Sequence, residues 1–228
     1  MPNLPGSYYQ QFDADFSRDV PAEGFKGWKK TPLDISFAHT ALVVMHAWDC
    51  GTREQFPGWH RVVEYIPRAN NIVEMVFPPL LAAARQKMSV LHVVSDSNYY
   101  KHLPGYKRAV ELAGVPALPF PQADRDPTYD ALQKLRLEDG CIGAHNRKDV
   151  ERGFARLDFP DPARPLGDEG VAENAQQLFA LCKAQGINHL IYVGFAINWC
   201  LLMSPGGMID MRRHGMICST IPQAVTAV

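Results

Sequence analysis

Short apolar runs, separated by longer mixed segments, are the clearest pattern along the chain. Three of them, at 40–46, 90–95 and 189–194, are rich in β-branched residues, and a shorter one follows at 215–219. Apolar runs of this length without alternation are typical of strands buried on both faces of a parallel sheet. The pattern therefore predicts four buried strands.

Helical spacing of apolar residues occurs between these runs. It predicts helices over 71–86, with a kink or break at Pro78–Pro79, over 106–113, over about 171–185, and over 198–213. Strands that alternate with helices indicate βαβ units. The predicted fold is therefore an α/β protein, a three-layer α/β/α sandwich with a central parallel sheet. Such sheets bind ligands at the carboxyl ends of their strands.

The rest of the chain is less regular. Residues 1–36 lack clear periodicity and predict an N-terminal arm, whereas 37–228 predict one domain. Residues 50–69 contain glycines and prolines that predict a loop directly after the first strand. Residues 127–167 give no clear pattern.

Composition narrows the class of partner. The 228 residues are 46% hydrophobic and 21% charged, with a formal net charge of −1. This is enough apolar material for a packed core, without the basic surplus of a nucleic-acid-binding protein. There is no apolar run of transmembrane length, and the first residues do not resemble a signal peptide. We expect a cytoplasmic protein whose partners are a small molecule and further copies of the chain, not a membrane.

The five cysteines are scattered, odd in number and never at CxxC spacing, which favours neither a disulfide framework nor a zinc site. Cys200 differs from the others because it follows a strand end and a tight turn, at the predicted start of a helix. The positive end of a helix favours a thiolate, and its backbone N–H groups can hold an oxyanion. From these residues alone, a structural core cysteine is the more frequent alternative.

The segment His189–Cys200, read as Leu-Ile-Tyr-Val-Gly-Phe-Ala-Ile-Asn-Trp-Cys after its first residue, resembles the nucleophile turn of isochorismatase-like cysteine hydrolases. That family includes nicotinamidases, N-carbamoylsarcosine amidases and isochorismatase. The run at 40–46 resembles the family's first strand, and the resemblance covers about 37–220. It implies that Cys200 is the nucleophile and that the N–H groups of Ala196 and Cys200 form the oxyanion hole. It also implies a cis peptide between Phe195 and Ala196, and a homo-oligomer, either a dimer or a tetramer.

The chain departs from the family's Asp, Lys and Cys triad. His46 stands at the position of the aspartate, and Asp49 follows three residues later. The segment 163–169, where the resemblance implies the lysine, contains none. Arg164 is its nearest cation, although a guanidinium does not exchange protons as an amine does. Lys148 would serve only if the proline-rich segment were an insertion.

Three interpretations stay open. In the first, His46 replaces the aspartate as the base and forms a dyad with Cys200. In the second, the reaction is lost and the protein is a binding or scaffolding member of the fold. In the third, the correspondence is displaced and Asp49 or Asp96 is the acid or base. We expect further pocket residues among the loops at the strand ends: Trp48, Asp49, Asp96, Asn98, Arg164, Phe195 and Trp199.

Cofactors are not expected. Nicotinamidases hold a metal through an Asp-x-His element, but Asn98 takes the place of the histidine after Asp96, and Asn is a poor zinc ligand. No Gly-x-Gly-x-x-Gly motif follows a strand, which disfavours a dinucleotide-binding protein. The sequence therefore predicts a hydrolase of a small amide, ester or enol ether that forms a covalent intermediate at Cys200. A catalytically inactive binding protein is the alternative.

Overall fold

The computed structural model describes residues 2–95, 97–116, 118 and 120–228. The chain forms two compact units, Met1–Phe37 and Ala38–Val228. Asp96, one of the expected pocket residues, lies outside the described part of the chain.

The first unit is built on an antiparallel pair of strands, β1 (Asn3–Gln10) and β2 (Gly27–Asp34). A short 3-10 helix, Pro21–Gly24, lies between them. The sequence predicted no regular structure in this segment. Most side chains of both strands are exposed, so no alternation of buried and exposed positions marks the ladder in the sequence.

The second unit contains a five-stranded parallel sheet, and the predicted fold class is confirmed. Its strand order is β5-β4-β3-β6-β7. In chain order the strands are β3 (Thr40–Met45), β4 (Ser89–Val93), β5 (Gly170–Ala172), β6 (His189–Gly194) and β7 (Ile217–Val225).

Helices connect these strands. They are α1 (Pro57–Val62), α2 (Ile66–Met75), α3 (Phe77–Arg85), α4 (Pro104–Ala113), α5 (Pro127–Leu135), α6 (Arg147–Phe154), α7 (Ala175–Ala184) and α8 (Met208–Arg213). Single turns of other helical types are Phe37–His39, Arg136–Gly140, Asp161–Ala163 and Ile197–Leu201.

The inner strands of the sheet are buried on both faces, as the apolar runs predicted, whereas the run at 215–219 was wrongly expected to be buried, because β7 is an edge strand whose side chains are mostly half-buried or exposed. Every residue of β3 is buried, and alternate residues point to opposite faces. Ala41, Val43 and Met45 belong to a core shared with α4, α7 and α8. Leu42 and Val44 belong to a second core shared with α2 and α3. The helices thus cover the sheet on two sides and complete three layers.

Two helix predictions need correction. Residues 171–185 were expected to form one helix, but Val171 and Ala172 belong to β5 and the helix begins after Asn174. The Asn174 side chain accepts a hydrogen bond from the Gln177 N–H at 3.0 Å and caps the helix. A strand of three residues is too short to show a period, so the sequence pattern merged it with the helix.

The helix expected over 198–213 is interrupted. Ile197–Leu201 form a π-helical turn, and α8 begins only at Met208. Pro205 has no N–H to donate, and Gly206 adopts a φ of 80°, so the chain cannot continue the helix there. By contrast, a break near Pro78–Pro79 is confirmed, although it lies at Val76, because α2 ends at Met75 and the prolines stand in the first turn of α3. The loop expected over 50–69 is wrong in part, since Pro57–Val62 forms α1 and α2 begins at Ile66.

A buried ion network supports the amino end of β5. Both carboxylate oxygens of Glu169 accept hydrogen bonds from Arg85, at 2.7 and 3.0 Å, and Nε2 of the fully buried His92 lies 3.0 Å from Oε2. Burial lowers the pKa of His92, so the neutral ring donates to the carboxylate. Burial alone would raise the pKa of Glu169, but the His92 and Arg85 hydrogen bonds outweigh it and lower the pKa to about 2.

Replacing Glu169 tests this network. We expect Glu169→Gln to lower the free energy of unfolding at pH 7 by about 2 kcal/mol, which is typical for hydrogen bonds to a charged group. Because the pKa of Glu169 is lower in the folded state than its ordinary value of 4.5, the ionised carboxylate stabilises the folded state at pH values above 4.5. This stabilisation is lost as the pH falls through about 2. Urea unfolding should therefore show the difference between wild type and variant shrinking from pH 4.5 downward.

The exposed neighbour Asp168 offers a matched control, since Asp168→Asn should change stability by less than about 0.5 kcal/mol. A difference between Glu169→Gln and wild type that stays constant down to pH 2.5 would contradict the assignment.

Candidate active site

The carboxyl ends of four adjacent strands, β5, β4, β3 and β6, surround one cavity of about 390 Å³. This volume is in the range of small-molecule sites. The described residues that line it are His46, Trp48, Ser95, Tyr100, Glu173, Asn174, Cys200, Ser204 and Pro205.

The route from β6 to Cys200 depends on a close backbone contact. Gly194 ends β6 with a φ of 123°, and a Cβ atom at this position would meet the Met45 carbonyl oxygen at 2.0 Å. The next residue, Phe195, donates its N–H to the same oxygen at 3.2 Å. The peptide between Phe195 and Ala196 is cis. The chain then enters the π-helical turn that carries Cys200, which is partly buried.

His46 directly follows β3 and has an unusual backbone conformation. Its φ is 50°, a region that non-glycine residues seldom adopt, and its N–H donates to the Val93 carbonyl at 3.0 Å. The side chain is buried and stacks on Trp48, with ring centroids 4.7 Å apart. Strained residues of this kind cluster at functional sites because the surrounding packing holds one geometry.

Glu173 directly follows β5 and brings a carboxylate into the cavity. Its Oε2 accepts a hydrogen bond from the Tyr100 hydroxyl at 2.8 Å, and its N–H donates to Gln177 at 2.9 Å. Burial, and then the bond to Glu173, raise the pKa of Tyr100, so the phenol stays protonated as the donor. The pKa of Tyr106 is raised by the same two causes in the same order.

The structure brings together three of the expected site residues, Cys200, His46 and Trp48. Ala196 is buried at the start of the π-helical turn, and its carbonyl accepts from the N–H groups of Trp199 and Leu201. Its role in an oxyanion hole stays a prediction.

Five expected pocket residues do not line this cavity. The Asp49 carboxylate pairs with Arg156 at 3.0 Å in a neighbouring cavity. Arg164 pairs with Asp158 at 3.0 Å. The remaining three are buried Phe195, which stacks on Phe77, and the exposed residues Asn98 and Trp199.

Sequence reasoning missed Glu173, a carboxylate that lines the cavity. Glu173 was hidden because β5 is three residues long and was read as part of a helix. A usable signal was present, since Glu173-Asn174 precedes a helical pattern and Asn is a common N-cap. Tyr100, Asn174, Ser95 and Ser204 lie on connecting segments whose position no periodicity predicts.

Within the described part of the chain, no three His, Cys, Asp or Glu side chains are grouped to hold a metal ion. No described helix combines the length and the apolar character needed to cross a bilayer.

Comparison with known proteins gives structural matches only. No protein-family model and no curated protein matches the sequence. A cysteine hydrolase from Pseudomonas syringae pv. phaseolicola 1448A matches with a TM-score of 0.40 at 13% identity, covering 85% of this chain and 75% of its own. An isochorismatase family protein from Desulfovibrio vulgaris subsp. vulgaris str. Hildenborough matches with a TM-score of 0.43 at 16% identity, covering 83% of this chain and 82% of its own. Likeness at this level concerns the course of the backbone and bears on no residue of the site.

The contact between Gly194 and Met45 gives a stability prediction. Gly194→Ala forces a Cβ atom against a backbone oxygen at a positive φ, so we expect a loss of about 3 kcal/mol or more in the free energy of unfolding. Gly215→Ala is the matched control, because its φ is 80° and its Cβ would meet nothing within 4 Å. Conformational strain alone should cost it about 1 kcal/mol. Equal losses in urea unfolding would show that the close contact is unimportant.

Proposed function

We propose that the protein is a hydrolase of a small amide or ester that forms a covalent intermediate at Cys200, with His46 as the base. The observation that carries this proposal is that Cys200 and His46 line one cavity at the carboxyl edge of the sheet. They follow β6 and β3, which are adjacent strands. A thiol beside an imidazole is a common arrangement for nucleophilic catalysis.

In the proposed reaction, His46 takes the proton of the Cys200 thiol as Sγ attacks the substrate carbonyl carbon. The N–H groups of Ala196 and Cys200 would stabilise the oxyanion that forms. The bond to the leaving amine or alcohol then breaks, and His46 gives its proton to that group. Water hydrolyses the resulting thioester with His46 again as the base, and the thiol is restored as the acid is released.

Glu173 adds a carboxylate to the Cys200 cavity, and the segment 163–169, where the resemblance implies the triad lysine, contains no lysine. The proposed reaction uses neither this carboxylate nor a lysine. This observation supports the alternative, an inactive member of the fold that binds a ligand without turnover.

Alkylation of Cys200 by iodoacetamide distinguishes the two. A free thiol, with a pKa of about 8.5, reacts slowly at pH 6.5. If His46 activates Cys200, labelling located by mass spectrometry should remain fast at pH 6.5 in wild type and become about tenfold slower in His46→Ala. A covalent acyl adduct at Cys200 should also accumulate with activated esters and be absent in Cys200→Ser.

The control is His102→Ala, which removes an exposed histidine outside the cavity and should leave the labelling rate unchanged. Labelling that rises only near pH 8.5 and is indifferent to His46 would refute the catalytic proposal in favour of the binding protein.

A further inference from the structure

The charge of the cavity bears on which substrates it admits. Among the described residues, Glu173 is the carboxylate that lines the cavity, and no described lysine or arginine lines it. Across the described residues, no cation lies within ion-pair distance of Glu173, whereas Asp49 and Glu169 are both paired with arginine. The hydrogen bond from Tyr100 holds the carboxylate in place but leaves its charge uncompensated.

A second cavity of about 420 Å³ adjoins the first and shares Glu173, Asn174 and Pro205 with it. Its other described lining is mainly apolar, and among the charged side chains it includes Asp210 but no described lysine or arginine. Asp210 is partly compensated by Arg213 at 3.3 Å. Glu173 therefore stands between the Cys200 cavity and an apolar one, and the acidic character continues across both.

Aromatic side chains accompany the carboxylate. Trp48 and Tyr100 line the same cavity as Glu173. Organic cations are held by this combination, because aromatic rings attract an ammonium group that is weakly hydrated and a carboxylate supplies the opposite charge. An anionic substrate would meet repulsion from Glu173 without a compensating cation.

We propose that Glu173 determines substrate specificity and that the preferred substrates are amides or esters carrying a positively charged amino or ammonium group. In the complex, the cation lies against Glu173 while the carbonyl group reaches Cys200. This inference rests on the proposed function of the Cys200 cavity.

Charged thiol reagents test the inference at Cys200 itself. We would measure the rate at which Cys200 is modified by the cationic reagent 2-(trimethylammonio)ethyl methanethiosulfonate and by the anionic reagent 2-sulfonatoethyl methanethiosulfonate. Each rate is divided by the rate at which the same reagent modifies free 2-mercaptoethanol. Each reagent forms a mixed disulfide at sulfur and releases methanesulfinate. The corrected rate ratio in wild type should favour the cation at least about tenfold, as expected for one charge at close range.

Glu173→Gln should bring the corrected ratio close to one, whereas Glu173→Asp, which keeps the charge, should retain the preference. Asp168→Asn is the matched control, since it removes an exposed carboxylate that precedes β5 and leaves the cavity unchanged. A ratio that is the same in wild type and Glu173→Gln would overturn the proposal.

A second measurement needs no variant. Tetramethylammonium chloride should slow the iodoacetamide labelling of wild-type Cys200 relative to sodium chloride at the same ionic strength, and the absence of such protection would count against the cation site.

The catalytic proposal and the specificity proposal fail separately. If the labelling rate does not depend on His46 but Cys200 still prefers the cationic reagent, the catalytic proposal is refuted and the cation site stands. If the labelling rate depends on His46 but Cys200 shows no preference for the cationic reagent, only the specificity proposal is refuted. Complete resistance of Cys200 to all reagents would contradict both.

Discussion

The pairing of β3 with β6 right to their last residues is the constraint on which the site depends. Met45 and Gly194 are partners at the end of the ladder, and the Met45 carbonyl also accepts the Phe195 N–H. The two strands therefore end at the same level of the sheet, where β3 continues into His46 and β6 continues toward Cys200. Only glycine allows the backbones to approach this closely. That His46 and Cys200 line one cavity is thus a consequence of backbone packing.

The chemistry of the cavity follows from what each strand end supplies. The residue after β3 supplies the imidazole of His46, the segment after β6 the thiol of Cys200, and the residue after β5 the carboxylate of Glu173. These three groups line one cavity because the parallel strands end at the same edge of the sheet.

Most of the fold but only part of the site could be predicted from the sequence. β3, β4 and β6 were predictable because strands buried on both faces leave continuous apolar runs. Cys200 and His46 were predicted because the segments that carry them resemble the family's nucleophile turn and first strand. β5 was not, because three residues cannot show a period, and its loss concealed Glu173. Asp49 and Arg164 were misplaced because loop residues are positioned by ion pairs with Arg156 and Asp158 that no local pattern shows.

The two carboxylates that flank β5 show where stability and function separate. Glu169, at the amino end, is bound by Arg85 and His92, and these contacts outweigh the cost of its burial. Glu173, at the carboxyl end, has a phenol as its donor and no counter-ion among the described residues. A carboxylate held only by a neutral donor contributes less to folding than one held by a guanidinium. Its negative charge remains available to a ligand, and an incoming cation would complete at Glu173 the ion pair that Arg85 completes at Glu169.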